Sequence, residues 1–286
     1  MKPSRFAYHR PGTLAEALDA MASLDDARPL AGGQSLMPMM NFRFVTPAHL
    51  VDLNRIDALA GIEDGDAALE IGAMTRQQTL LRSEVIARRC PLLGAALAHV
   101  GHVQTRNRGT IGGSLVHLDP SAELPAVLAA TDAVLLVASA RGTREVAMRD
   151  WCLGYMTPNL EPDELLVSVH IPHWPAGHGF AFEEMARRHG DFALAAAAVL
   201  VVLDERARLA RVAIALAGIG DAPLRLAAAE TTITGDEPTA GAIAAAAAHA
   251  REVPATSDVH ASDAYRRRVG EVLVRRALER AVARAR

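Results

Sequence analysis

Apolar residues recur at helical spacing in several stretches of the chain, and the clearest stretch begins at Thr13. Leu14, Leu18 and Met21 would share one face of a helix there. Thr13 and Glu16 stand three positions apart at its start, which is typical of a capping box. Apolar or alanine-rich composition and start signals predict further helices over residues 36–41, from 75 onwards, and over 92–99, 123–130, 224–230 and 239–250. The last stretch, 262–286, again repeats apolar residues at helical spacing.

Some of these predicted helices carry a recognisable start signal. Ser35 would cap the helix over 36–41, and Thr75 with Gln78 repeats the capping-box spacing. Asp119 followed by Pro120 predicts an N-cap with proline in the first helical turn. Residues 102–109 show no periodic pattern, and we expect them to be irregular.

Short apolar runs bounded by glycine, proline or aspartate predict the strands. In the first part of the chain these runs lie at 6–10, 28–31, 49–53, 61–64, 68–73, 133–138, 143–147 and 165–171. Three longer runs follow at 179–185, 193–203 and 209–218, and they suit adjacent antiparallel strands. Proline and glycine cluster between them, at 173–179, which predicts a linker. We therefore expect two domains, 1–174 and 175–286, the second being a three-stranded antiparallel sheet packed by helices.

Charge and apolar content indicate which classes of partner and which cellular compartment to expect. The formal net charge of the 286 residues is -3, which argues against nucleic acid or an anionic membrane as the main partner. The longest apolar run, Phe192 to Leu203, has 12 residues and is too short to cross a bilayer. The first residues lack the apolar core of a secretory signal, so we expect a cytoplasmic protein with no transmembrane segment.

Metal and hydrolase chemistry find little support in the sequence. Cys90 and Cys152 are the only cysteines, too few for an iron–sulfur cluster or a cysteine-rich zinc site. His99 and His102 straddle a glycine and lack an identifiable carboxylate partner, so we predict no metal site. No nucleophile motif of a serine hydrolase is present. We expect Glu183 and Glu184, with Arg187 and Arg188, to belong to a solvated, salt-bridged edge.

Two glycine segments carry the strongest chemical signal. Each places an apolar residue before a glycine pair and a small hydroxyl residue close behind it, which is typical of a turn whose N–H groups can all face one anion. Neither matches the dinucleotide or P-loop fingerprint. Together they predict a ligand with two linked phosphates. The residues are Leu30, Ala31, Gly32, Gly33, Gln34, Ser35 and Leu36 in the first segment, and Thr110, Ile111, Gly112, Gly113 and Ser114 in the second.

The ordered set of motifs resembles a known family. The segments AGGQSL and GTIGGSL, the second followed by HLDPSAELP, are similar to those of the FAD-binding medium subunits of molybdenum hydroxylases, the relatives of xanthine dehydrogenase and aerobic carbon monoxide dehydrogenase. The resemblance extends to QTRN at 104–107, DELL at 163–166, RRHGDFA at 187–193 and YRR at 265–267, and so covers nearly the whole chain.

The resemblance implies an α+β fold, with a two-subdomain FAD domain of the vanillyl-alcohol-oxidase (PCMH) type over 1–174 and a carbon monoxide dehydrogenase flavoprotein-like domain over 175–286. Non-covalent FAD would be wrapped by both glycine segments. Glu123 would stand at an acidic contact on the adenosine side, and Leu166 would lie in the strand of an adenine contact. Val100 takes the place of an aromatic flavin neighbour, while Asp191 and Phe192 would lie near the flavin ring.

The resemblance also implies a role in electron transfer, with no catalytic acid or base on this chain. Electrons would come from a molybdopterin large subunit through [2Fe–2S] clusters of a small subunit, reach FAD here, and pass to NAD or a quinone. The complex would be a dimer of heterotrimers, (αβγ)2. Two alternatives stay open: a self-sufficient flavin-dependent oxidoreductase of the same superfamily, and an adaptor subunit that has lost FAD.

Overall fold

A small parallel sheet opens the fold. The computed structural model describes all residues from Met1 to Arg286. Strand β3 lies between β1 and β2 and runs parallel to both, and α1 packs against this sheet. The predicted capping box of Thr13 and Glu16 is present at the start of α1. The elements are β1 (Ala7–His9), α1 (Leu14–Ser23), β2 (Ala27–Leu30), α2 (Leu36–Asn41) and β3 (His49–Asp52).

An antiparallel sheet of five strands forms the second subdomain, in the order β4-β5-β10-β6-β7. Its strands are β4 (Ile62–Asp64), β5 (Ala68–Gly72), β6 (Val134–Ser139), β7 (Gly142–Ala147) and β10 (Leu165–Pro172). A two-stranded ribbon, β8 (Cys152–Gly154) and β9 (Thr157–Pro158), precedes β10. The helices are α3 (Gln77–Arg82), α4 (Glu84–Arg89), α5 (Pro91–Leu97), α6 (Val103–Arg108), α7 (Ile111–His117) and α8 (Glu123–Ala130).

The remaining residues form a second antiparallel sheet covered by helices. Its strand order is β11-β12-β13-β14, so a two-residue strand extends the three that the sequence predicts. The long helix α11 packs on β11 and β12. The strands are β11 (Gly179–Ala186), β12 (Ala193–Leu203), β13 (Leu209–Ala217) and β14 (Leu224–Arg225), and the helices are α9 (Ala227–Ile233), α10 (Ala240–Ala248) and α11 (Asp263–Arg284).

Strand β12 is the element that joins the two halves of the molecule. Alternate residues such as Ala195 and Val199 face α11, while Ala196 and Leu200 belong to the same apolar core as α5 and α8. A strand buried on both faces has no polar side to show, which explains its unbroken apolar sequence. The small side chains also allow helices to approach closely from both sides.

Several local predictions are wrong. Residues 102–109 contain the helix α6 instead of an irregular stretch, and Gly112 and Gly113 lie inside the first turns of α7. Helix α8 begins at Glu123 with Ala122 as N-cap, and the Asp119 side chain instead accepts a hydrogen bond from the Ser121 N–H. No helix of the structure has both the length and the apolar character needed to span a membrane.

Candidate functional site

The first glycine segment forms an open turn between β2 and α2. None of the backbone N–H groups from Ala31 to Leu36 donates a hydrogen bond to an acceptor of the chain. Gly33 adopts φ +71, a left-handed conformation that favours glycine. Gly32 is buried, yet its N–H has no partner. Backbone donors in such positions are normally paired, so this run of free donors is a place where a ligand can supply the acceptors.

Ser35 does not act as the predicted cap. Its backbone is already helical and its side chain makes no hydrogen bond to the first turn of α2. Helix α2 begins instead with main-chain bonds from Met37 to the Gly33 carbonyl and from Met39 to the Ser35 carbonyl. The Ser35 hydroxyl is therefore left available for another partner.

The second glycine segment uses its N–H groups inside the protein. The Ile111 N–H donates to the Thr75 carbonyl at 3.2 Å, and the Gly112 N–H to the Ala73 carbonyl at 2.8 Å. The Gly113 N–H donates to the Thr110 hydroxyl at 3.0 Å, which caps α7. The expectation that both segments offer free N–H groups is therefore wrong for the second segment, and only the first leaves its N–H groups unpaired. The Thr75 side chain is likewise not a cap, because it bonds to Gly61.

The two segments nevertheless lie side by side. A Cβ added to Gly32 would stand 2.2 Å from the Arg108 carbonyl oxygen, so only glycine permits this backbone approach. A Cβ on Gly113 would lie 3.7 Å from the Cβ of Ala31. The structure thus brings the open turn against the entrance and the first turn of α7, as a single site requires.

Two polar residues that the sequence did not single out connect these segments. The Asn54 side-chain amide donates to the Ala31 carbonyl at 2.9 Å. The Arg76 guanidinium donates both to the Asn54 side chain and to the Arg108 carbonyl. Neither residue belongs to a local motif, so no signal in the sequence marks them.

Val100 and Leu166 lie mainly in the apolar core. Val100 is 9% exposed, and its carbonyl accepts a hydrogen bond from Arg106 in α6 at 2.8 Å. Any ligand contact at Val100 is therefore limited to the backbone and a small exposed edge. Leu166 lies in β10, onto which α7 packs, next to an irregularity in the pairing with β6.

Asp191 and Phe192 lie at the tip of the hairpin between β11 and β12. Asp191 pairs with Arg188, and the Phe192 ring is 70% exposed. Gly190 at this tip has φ +83 and lies so close to His102 that a Cβ would stand 2.6 Å from the imidazole. The tip therefore packs beside the segment that joins Val100 to α6, and it presents an aromatic face to solvent.

Three carboxyls are buried in and beside β11, and two of them, Glu123 and Glu184, lie between the two halves of the molecule. The expectation of solvent exposure is wrong for both glutamates of β11, because Glu183 is 8% exposed and the Glu184 side chain is 4% exposed. The expected salt bridge is present at Glu183, which pairs with Arg280. Burial raises the pKa of Glu184 to about 7. Burial, with smaller effects of Glu184 and Asp119, raises the pKa of Glu123 to about 8. One Glu184 oxygen has no hydrogen-bond partner.

Two family models account for nearly all of the chain. The model described as FAD binding domain in molybdopterin dehydrogenase matches residues 4–174. The model described as CO dehydrogenase flavoprotein C-terminal domain matches residues 180–281.

Individual relatives match over nearly their full length. The 6-hydroxypseudooxynicotine dehydrogenase complex subunit alpha of Paenarthrobacter nicotinovorans is 42% identical, over 100% of this chain and 97% of the relative. The carbon monoxide dehydrogenase medium chain of Afipia carboxidovorans is 38% identical, over 100% and 99%. A solved structure of carbon monoxide dehydrogenase from Hydrogenophaga pseudoflava, which lacks the Mo-pyranopterin moiety of the molybdenum cofactor, is 37% identical and superimposes with a TM-score of 0.98 over 100% of both chains.

Proposed function

Because this chain belongs to the family of FAD-binding medium subunits of molybdenum hydroxylase complexes, we propose that it carries electrons through FAD from [2Fe–2S] clusters of a partner subunit to NAD or a quinone. FAD, when bound, supplies a group capable of both one-electron and two-electron chemistry. The protein's own contribution is to bind, orient and partly shield that group. Nothing in this role requires an acid or a base from the chain.

The free N–H groups from Ala31 to Leu36 are the observation that carries the proposal. A diphosphate is rich in acceptors, and a run of unpaired backbone donors beside a left-handed glycine is a suitable cradle for it. Gly32 fits the same interpretation, because its N–H is unpaired although the residue is buried. We assign the diphosphate to this turn, with Leu30 and the Gln34 and Ser35 side chains as neighbours.

The second segment would contact FAD by side chains and by shape. Its N–H groups from Ile111 to Ser114 are already paired, and Thr110 is 1% exposed. The Ser114 hydroxyl is therefore the best donor for a ribityl or ribose group, with Gly112 and Gly113 keeping the helix close. The other proposed contacts are Val100, Glu123, Leu166, Asp191 and Phe192.

The Phe192 ring suits the flavin end of the cofactor. Its 70% exposure at the hairpin tip gives a flat apolar surface on the second domain, beside residues 100–102 of the first. Aromatic faces pack favourably on other planar rings. The cofactor would then span the junction between domains that we place at 1–174 and 175–286, a boundary supported by the proline- and glycine-rich residues 173–179.

The proposed partners follow from what the chain lacks. Two cysteines cannot ligate a [2Fe–2S] cluster, so the clusters would reside in an iron–sulfur small subunit and molybdopterin in a large subunit. We propose an (αβγ)2 complex in the cytoplasm. The substrate would be bound by the molybdopterin subunit.

Hydrogen exchange of the full chain with and without FAD tests the proposal. We expect amides at 31–36 to exchange rapidly in the FAD-free chain and to become protected by FAD, whereas amides at 111–114 are protected in both states. Absorbance of the purified chain should show close to one flavin per chain. An FAD-free chain that neither binds FAD nor gains protection would favour the adaptor. Substrate-dependent flavin bleaching without any partner would favour the self-sufficient oxidoreductase.

A further inference from the structure

Arg76 links the two glycine segments through a short chain of hydrogen bonds. From its guanidinium, Nη1 donates to the Arg108 carbonyl, two residues before Thr110. Nη2 donates to the Asn54 side-chain oxygen, and the Asn54 amide donates in turn to the Ala31 carbonyl at 2.9 Å. One side chain therefore connects the open turn to the segment that leads into α7.

The main chain of Arg76 reinforces the same connection. Arg76 and Thr110 form an isolated antiparallel bridge, and the next residue, Gln77, donates its N–H to the Gly109 carbonyl at 2.9 Å. The position of Arg76 relative to α7 is thus fixed by backbone as well as by side chain. Its guanidinium is the part that reaches from this fixed point to the first segment.

The far end of the chain of bonds is anchored in the small parallel sheet. The Asp52 carboxylate accepts hydrogen bonds from the Asn54 backbone N–H at 2.9 Å and from the Tyr8 hydroxyl. Although burial alone would raise the pKa of Asp52, hydrogen bonds from Tyr8 and Asn54 hold it below its ordinary value. Asn54 is therefore held in one orientation by a charged acceptor, and its amide is directed at Ala31.

We propose that Arg76 is a positioning residue that holds the two glycine segments at the separation required by one FAD molecule. The inference rests on the proposed function. The Ala31 carbonyl belongs to the first residue of the run with free N–H groups, so the bond from Asn54 orients the peptide that begins the cradle. The Arg108 carbonyl and the Asn54 side-chain oxygen lie in different directions from Arg76. A planar guanidinium can donate to both at once, whereas a lysine ammonium cannot reproduce this geometry.

Three variants of the full chain test the proposal: Arg76→Met, Arg76→Lys and Asn54→Ala. We expect Arg76→Met to raise the Kd for FAD about tenfold or more, because two charge-assisted hydrogen bonds are lost. Arg76→Lys should recover part of that loss, since it can bond one acceptor. FAD binding is measured by quenching of flavin fluorescence, and the thermal midpoint of each FAD-free variant is recorded separately.

Arg225→Met is the matched control. Arg225 is also half-buried, and it bonds the Ala129 carbonyl at 2.8 Å together with Asp132 and Glu230, away from the glycine segments. Its loss should lower the thermal midpoint but change the Kd for FAD by less than about twofold, because distant sites act independently. The double variant of Asn54 and Arg76 should lose less affinity than the two single losses combined, because both act through one chain of bonds.

The outcomes separate the two proposals. Wild-type affinity retained in Arg76→Met or in Asn54→Ala would overturn the positioning role while leaving the FAD site intact. The same holds if Arg225→Met, with an equal loss in thermal midpoint, weakens FAD binding as much as Arg76→Met does. A wild-type chain that fails to bind FAD would overturn the proposed function itself. Altered visible circular dichroism of FAD bound to Arg76→Lys would support the positioning role, because a purely structural loss would leave bound flavin in its normal environment.

Discussion

The two glycine segments look alike in sequence, but they differ in whether their backbone N–H groups are hydrogen-bonded within the chain. In the first, the N–H groups from Ala31 to Leu36 have no acceptor in the chain. In the second, the N–H groups from Ile111 to Ser114 are all paired with Ala73, Thr75 or Thr110. The first segment is a turn available to a ligand, whereas the second is the tightly packed start of a helix.

The contrast shows that a glycine pair by itself does not identify a phosphate cradle. Glycine serves one segment by permitting a left-handed backbone at Gly33. It serves the other by leaving room for Ala73 against Gly112. The destination of each N–H group, which depends on residues far away in sequence, decides between the two roles.

Gly112→Val should give the largest effect. We expect it to destabilise the folded chain even when FAD is absent. A Cβ there would lie 2.6 Å from the Ala73 Cβ and 2.7 Å from its carbonyl oxygen, and backbone cannot move aside easily. We expect a loss of about 3 kcal/mol or more in the free energy of unfolding of the FAD-free chain. Gly94→Val in α5, where a Cβ meets nothing within 4 Å, is the control. Equal midpoints for both variants in thermal unfolding would contradict the packing role.

Gly33→Val should reduce FAD affinity more than it reduces stability. The left-handed φ of +71 costs a non-glycine residue about 1–2 kcal/mol, and the new side chain would crowd Met37. Relief of that strain would move the N–H groups of the cradle. Gly235→Val has a comparable φ of +92 in open space, and should lose stability while keeping normal FAD affinity in fluorescence titration. Normal FAD affinity in Gly33→Val would place the diphosphate elsewhere.

Thr110→Ala should lower the stability of the FAD-free chain slightly more than Ser35→Ala does. The Thr110 hydroxyl caps α7 and is buried, so its removal should cost about 1 kcal/mol in chemical denaturation of the FAD-free chain. Ser35 makes no cap, so its removal should change stability by less than about 0.5 kcal/mol. A larger loss for Ser35 than for Thr110 would reverse the contrast between the segments.

Regular periodicity explains why most elements could be predicted from the sequence. Helix α1 has both an apolar face and a capping box, and β12 is an uninterrupted apolar run. Such patterns reflect burial on one face or on both, which a single sequence records directly. The domain boundary that we propose near residues 173–179 rests on a related signal, because proline and glycine interrupt both kinds of pattern.

Short elements without an apolar face were predicted wrongly. Helix α6 has no buried residue, so its sequence carries no periodic signal. The start of α7 contains two glycines, which favour a turn on local propensity alone. The helix forms because Thr110 caps it and Ala73 and Thr75 accept its first N–H groups. Tertiary contacts override propensity at this position.

The candidate site was accessible to sequence only through its local motifs and its family resemblance. Positions such as Gly32 and Gly33 are neighbours in the chain and form a motif. The chain of bonds from Asp52 through Asn54 and Arg76 to Arg108 joins three separate parts of the chain, at 52–54, 76 and 108, and no spacing rule relates them. The burial of Glu184 was also missed, because two adjacent acidic residues are usually exposed.

Two of the buried carboxyls couple the folding stability of the chain to pH. Glu123 belongs to the first domain and Glu184 to the second, and both have pKa values raised from 4.5, to about 8 and about 7. In the unfolded chain both would ionise near the ordinary value, so between about pH 5 and pH 8 the chain takes up protons as it folds. Below that range both carboxyls are protonated in the folded and the unfolded chain, and their burial carries no ionisation cost. As the pH rises through the range, the unfolded chain ionises more readily, and this cost destabilises the folded chain. The free energy of unfolding should therefore fall as the pH rises from about 5 to about 8.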